Sequence, residues 1–89
     1  MPAIYGSAKR GEIVHALNGS WHNSPTGYSY NWYRCDSAGN NCVDTGYIYE
    51  NYVIQTADVG GTIRVLVTAY NTYGPGTAVF SAAFGPVVA

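Results

Sequence analysis

Apolar and polar side chains alternate along three stretches of this chain, at residues 12–18, 28–34 and 62–71. A period of two places successive side chains on opposite faces of an extended strand, so each stretch is predicted to be a β-strand with one buried face. The residues predicted to face inward are Val14 and Ala16; Tyr28, Tyr30 and Trp32; and Ile63, Val65, Val67 and Ala69. The residues predicted to face outward are Ile13, His15 and Leu17; Ser29, Asn31 and Tyr33; and Arg64, Leu66, Thr68 and Tyr70.

Shorter strand candidates are residues 3–8, 42–47, 51–56 and 77–84, and Tyr52 in the third of these has the parity of a core residue. The segments between the strands are rich in Gly, Pro, Asn and Asp, which favour turns. No segment combines a helical period with capping residues. This pattern predicts an all-β fold in which residues 1–89 form one antiparallel β-sandwich of six or seven strands.

The two cysteines flank a predicted hairpin: Cys35 ends one strand, Cys42 begins the next, and residues 36–41 turn the chain between them. Opposite residues of an antiparallel hairpin lie near disulfide distance, so the pair is predicted to form a disulfide that stabilises the hairpin. A redox centre would need a C-x-x-C-like pair at a helix N-terminus, which the sequence lacks. A zinc site that adds His15 and His22 is the remaining alternative, but the six-residue gaps in both pairs do not match the usual ligand spacing.

Charge is sparse, with four basic and five acidic residues and a net charge of −1. This leaves no basic surface for nucleic acid and no polybasic patch for a membrane. No apolar run approaches the roughly 20 residues that span a bilayer, and the N-terminal residues lack the apolar core of a signal peptide. Arg34 and Arg64 are predicted to pair with carboxylates or to cover aromatic rings rather than to bind a ligand.

Candidate catalytic and metal-binding residues all have a simpler structural explanation. His15 and His22 have no carboxylate or nucleophile nearby in the sequence and are predicted to be surface residues. Three residues could line a calcium loop, but they do not match EF-hand spacing and are ordinary turn residues: Asp36, Asn40 and Asp44. The sequence therefore predicts no enzyme activity, no metal site and no cofactor.

Several short motifs occur in one order along nearly the whole chain. They fall on Gly19 and Trp21; on Tyr30, Trp32, Arg34 and Cys35; on Gly39 and Cys42; on Asp58, Val59 and Gly60; and on Val67, Ala69, Asn71 and Gly74. With these motifs the chain resembles the immunoglobulin-like modules repeated in secreted and cell-surface proteins of bacteria, especially actinobacteria. The resemblance implies an immunoglobulin-like or fibronectin type III-like sandwich, an extracellular or cell-surface location, and a non-catalytic role as a spacer, adhesion or binding module.

The outward positions carry more large apolar and aromatic residues than such modules are expected to expose. Because exposed apolar patches usually mark contact sites, Tyr33, Leu66 and Tyr70 are predicted to form one binding surface. The loops that contain Tyr47 and Tyr73 are predicted to extend this surface at its edges. The expected partner is another protein or a second copy of the chain, and a glycan is a further alternative.

Two functional hypotheses remain open on the sequence. One is a natural spacer or glycan-contacting module of a larger secreted bacterial protein. The other is an engineered version of this scaffold, whose altered surface residues bind a protein or cause self-association. A start at Met1 without a leader and the aromatic outer faces favour the engineered version.

Overall fold

A computed structural model describes residues 2–17, 26–71 and 74–89 of the chain. Seven strands form two antiparallel sheets that pack together as a β-sandwich, which confirms the predicted fold class. The described residues contain no α-helix, and the one helical segment is a 3-10 turn at Thr56–Asp58. The strands are β1 (Ala3–Tyr5), β2 (Ile13–Leu17), β3 (Gly27–Cys35), β4 (Val43–Asp44), β5 (Asn51–Val53), β6 (Thr62–Asn71) and β7 (Gly74–Phe80).

The strands divide into a three-stranded sheet of order β1-β2-β5 and a four-stranded sheet of order β4-β3-β6-β7. The longest ladder joins β3 to β6, from Gly27 opposite Tyr70 to Cys35 opposite Thr62. Because directly opposite residues share a face of the sheet, this register decides which side chains of β3 and β6 lie together.

The core lies between the two sheets and contains the residues that alternation predicted to face inward. Trp32 is fully buried and stacks on Tyr52, with ring centroids 5.2 Å apart. Tyr28 and Tyr30 are partly buried and pack against the core from its edge. The buried cluster is Val14, Ala16, Trp32, Tyr52, Ile54, Ile63, Val65, Val67 and Val87. Trp21, one of the motif residues named above, lies outside the described residues.

The shorter strands differ from their predicted bounds. The predicted strand at residues 51–56 ends at Val53, because Thr56–Asp58 form the 3-10 turn. The last strand begins at Gly74 rather than at residue 77, and Pro75 lies opposite Tyr70 in the ladder. Proline is tolerated there because β7 is an edge strand, where one side of the backbone has no partner in the sheet.

The predicted disulfide between Cys35 and Cys42 is present and joins the end of β3 to the start of β4, with the two Cα atoms 4.1 Å apart. Asp36 organises the turn, since one carboxylate oxygen accepts hydrogen bonds from the backbone N–H groups of Ala38 and Asn40, each at 2.9 Å. These bonds and one from the Asn41 side chain lower the pKa of Asp36. Asp36 is therefore a turn residue, as its type predicted.

Candidate binding surface

The predicted binding residues Tyr33, Leu66 and Tyr70 all lie on the outward side of the four-stranded sheet. The ring of Tyr33 contacts Phe80 edge to face, with centroids 5.1 Å apart, and Phe80 lies opposite Leu66 in the ladder between β6 and β7. We call the surface formed by Tyr33, Leu66, Phe80 and Tyr70 the aromatic face. Sequence reasoning missed Phe80 because the alternation around it does not say which residue of β6 it would oppose.

Tyr70 occupies the far end of the aromatic face. It lies opposite Gly27, and a Cβ atom added at Gly27 would fall 2.5 Å from the Tyr70 hydroxyl oxygen, so the phenol ring covers the glycine backbone. Tyr70 lies four positions after Leu66 in β6, about 13 Å along the strand. The intervening row is formed by Ser29 and Thr68. The face therefore contains one aromatic cluster and one separate tyrosine.

Tyr47, one of the other two predicted binding residues, does not join this surface. Tyr47 packs against the core, where its ring meets Tyr52 edge to face at 4.9 Å and its hydroxyl accepts a hydrogen bond from Gln55 at 3.4 Å. The backbone carbonyl of Tyr47 accepts a hydrogen bond from the N–H of Trp32, which holds the loop beside β3. Tyr73 lies outside the described residues.

Arg64 lies beside the aromatic cluster on the same face. Its Nε atom is buried and has no hydrogen-bond partner among the described residues. A Cβ atom added at Gly39 would lie 3.2 Å from Nη2 of Arg64 and 2.9 Å from Cβ of Ala83, so the guanidinium lies against the disulfide-closed turn. Buried polar groups without a partner are rare because each one costs desolvation energy.

The inward side of the same sheet holds a complete polar cluster. Asp58 is fully buried, and one of its oxygens accepts a hydrogen bond from Nε of Arg34 at 2.5 Å. The other oxygen accepts from the Tyr52 hydroxyl at 2.5 Å and from the backbone N–H of Gln55 at 2.8 Å. The predicted pairing of Arg34 with a carboxylate is thereby confirmed.

This polar cluster controls the ionisation of its members. The hydrogen bond to Asp58 raises the pKa of Arg34, so the guanidinium stays charged. Burial and then the Asp58 carboxylate raise the pKa of Tyr52, which keeps the phenol protonated as a donor. The Asp58 carboxylate has its partners inside the fold, so the cluster stabilises the structure.

The outward side of the three-stranded sheet is also apolar. Tyr5, Ile13, Leu17 and Val53 are exposed there, as the alternation predicted for Ile13 and Leu17. His15 lies at the centre of this side, opposite Tyr5 and Asn51, and its ring nitrogen Nδ1 donates a hydrogen bond to the Asn51 amide oxygen. The described parts of the chain contain no group of three or more His, Cys, Asp or Glu residues that could hold a metal ion.

Comparison with known proteins returned no matching family model, no matching curated protein and no matching solved structure. The resemblance to bacterial immunoglobulin-like modules therefore remains a prediction from sequence motifs. In the residues that the structure describes, no helix is long and apolar enough to cross a membrane.

Proposed function

We propose that this chain is a non-catalytic, extracellular immunoglobulin-like module that binds protein through the aromatic face. The observation that carries the proposal is the cluster of Tyr33, Leu66 and Phe80 beside the unpartnered Nε of Arg64, on the outward side of the sheet. The proposal covers a natural bacterial module and an engineered version of one. An extracellular setting is supported by the disulfide, since most cytosols would reduce such a pair.

The energetics of the aromatic face favour binding over a role in folding. The core is already filled from the other side of β3 and β6, where Trp32, Val65 and Val67 are fully buried. Covering apolar surface with a partner gains about 25 cal/mol per Å², so a few aromatic anchors can dominate the affinity. Tyrosine suits this role because it offers a large rigid contact area and a hydroxyl at low entropic cost.

The test is the double variant Tyr33→Ser with Tyr70→Thr, measured for both unfolding and association. Denaturant unfolding should show a stability loss below about 1 kcal/mol, as for most surface changes. Sedimentation equilibrium should show that self-association of the chain is weakened at least tenfold. The matched control is Tyr5→Ser with Tyr49→Ser, which removes two exposed tyrosines away from this face and should leave association unchanged.

Two outcomes contradict the proposal. A large loss of stability in the double variant would mean that these tyrosines belong to the folding core. Unchanged stability together with unchanged association would leave the aromatic face inert, and a spacer role would then explain the module better.

A further inference from the structure

An acidic residue, a tyrosine and a basic residue form one row across the four-stranded sheet. Tyr33 lies opposite Asp44 of β4 on one side and opposite Arg64 of β6 on the other. Directly opposite residues share a face, so a carboxylate, a phenol and a guanidinium follow one another across the outward side of the sheet. Of the nine charged residues in the chain, only Asp44 and Arg64 occupy outward strand positions in this sheet.

The two charged groups of this row do not satisfy each other. The only ion pair among the described residues joins Arg34 to Asp58, so Asp44 and Arg64 are too far apart to pair across Tyr33. One oxygen of the exposed Asp44 accepts a hydrogen bond from the backbone N–H of Gly46 at 2.8 Å. The guanidinium of Arg64 lies against the turn at Gly39, and its Nε has no hydrogen-bond partner among the described residues. Neither group therefore has a counter-charge among the described residues.

We propose that the aromatic face binds the same face of a second copy of this chain, with Asp44 of each copy paired to Arg64 of the other. This inference rests on the function proposed above and names its partner. A twofold axis that lies in the interface, parallel to β3 and directly above Tyr33, reverses the order of the row in the facing copy. Asp44 then meets Arg64 at both ends of the row, and Tyr33 meets Tyr33 at its centre. Such a self-complementary arrangement is what a twofold-symmetric interface requires.

The neighbouring row adds apolar contact to the charge pairing. Leu66 lies opposite Phe80, and the Phe80 ring contacts Tyr33, so these side chains would be buried against the second copy. Complementary charges at the two ends would fix the register and disfavour other partners, while the apolar row would supply affinity. The outward side of the three-stranded sheet has no charged strand residue that could set a register in this way, and its central His15 is already bonded to Asn51.

The experiment measures self-association of the purified chain by sedimentation equilibrium and uses charge exchange. Asp44→Arg and Arg64→Asp should each weaken self-association at least tenfold, because each single variant places like charges opposite one another at both ends of the row. An equimolar mixture of the two variants should associate within about threefold of the wild type, because both ends regain opposite charges in the mixed dimer. The double variant that carries both changes should recover in the same way.

Matched controls reverse charges away from this face. Glu50→Arg and Arg10→Asp change exposed residues in loops outside the four-stranded sheet and should leave self-association unchanged. Circular dichroism melts establish that each variant is folded. If Arg64→Asp does not fold, Arg64→Gln and Asp44→Asn replace the charge reversals, and each should weaken self-association at least threefold.

The inference is overturned if the wild-type chain stays monomeric at all accessible concentrations. It is also overturned if the mixture and the double variant associate no better than the single variants. Association that falls in the Tyr33→Ser and Tyr70→Thr double variant but ignores both charge reversals would keep the aromatic face as a binding surface and exclude this paired row. In that last outcome the inference fails while the proposed function stands.

Discussion

Two arginines on neighbouring strands show how differently the two sides of the four-stranded sheet are built. Arg34 of β3 lies opposite Ile63, and Arg64 of β6 lies opposite Tyr33, so the two guanidinium groups start from adjacent rows and opposite faces. Arg34 reaches the fully buried carboxylate of Asp58. Arg64 lies against a turn, and its Nε has no partner among the residues described.

The difference separates what holds the fold together from what the fold leaves available. On the inward side, each oxygen of Asp58 accepts at least one hydrogen bond, so a buried charge is stabilised within the chain. On the outward side, Tyr33, Leu66 and Arg64 lie outside the buried cluster of the core. Changes on the inward side should therefore reduce stability, and changes on the outward side should mainly reduce association.

The largest effect expected from this comparison is that of Trp32→Ala on the inward side of β3. Removing a fully buried indole that stacks on Tyr52 should cost about 3–5 kcal/mol and unfold much of so small a domain. Tyr33→Ala, one residue along the same strand but facing outward, is the matched control and should cost about 1 kcal/mol. Urea unfolding measures both. A stable Trp32→Ala variant would mean that Trp32 faces outward and Tyr33 faces the core.

The two arginines themselves provide the next test. Arg34→Met leaves the buried Asp58 carboxylate without its counter-charge and should reduce the free energy of unfolding by about 3 kcal/mol, the lower end of the range for a broken buried pair. Arg64→Met removes a buried N–H that lacks a described partner while keeping an apolar stem of similar length. It should change stability by less than about 0.5 kcal/mol.

Equal losses in the two methionine variants would contradict the comparison. They would show that Arg64 contributes to folding as much as Arg34 does, and the aromatic face would then lose its unsatisfied group. Thermal melts monitored by near-ultraviolet circular dichroism provide an independent measurement of the same difference.

Much of the fold could be predicted because alternation is a local property. A period of two along β2, β3 and β6 assigns side chains to faces without knowledge of the partner strand, and the buried Val14, Trp32 and Val65 follow from it. The disulfide was also a local prediction, since Cys35 and Cys42 flank a single turn. Strand ends were less predictable because they depend on turns such as Thr56–Asp58.

The features that sequence reasoning missed depend on contacts between residues far apart in the chain. Tyr47 has no strand parity, and only the fold brings it against Tyr52. Phe80 joins the aromatic cluster because β7 pairs with β6 in one particular register. Asp58 matched a turn motif, but its burial beneath Arg34 requires two segments separated by 24 residues to meet.

The smallest expected effect concerns the hydroxyl of Tyr52, and it sharpens the comparison through pH. The pKa of Tyr52 is raised above its ordinary value of 10.0, first by burial and then by the Asp58 carboxylate. The unfolded chain therefore releases this proton first, so the stability contributed by the protonated phenol is present below pH 10 and is lost as the pH rises toward the folded-state pKa. One such group changes the free energy of unfolding by at most about 1.4 kcal/mol per pH unit.

Tyr52→Phe should be less stable than the wild type at pH 8, because Asp58 loses a donor, but the difference should shrink between pH 10 and 11.5. Tyr33→Phe, which changes a hydroxyl on the outward side, should retain the wild-type decline. If the free energy of unfolding of Tyr52→Phe falls above pH 10 as steeply as that of the wild type, the Tyr52 hydroxyl is not the cause of the alkaline loss of stability.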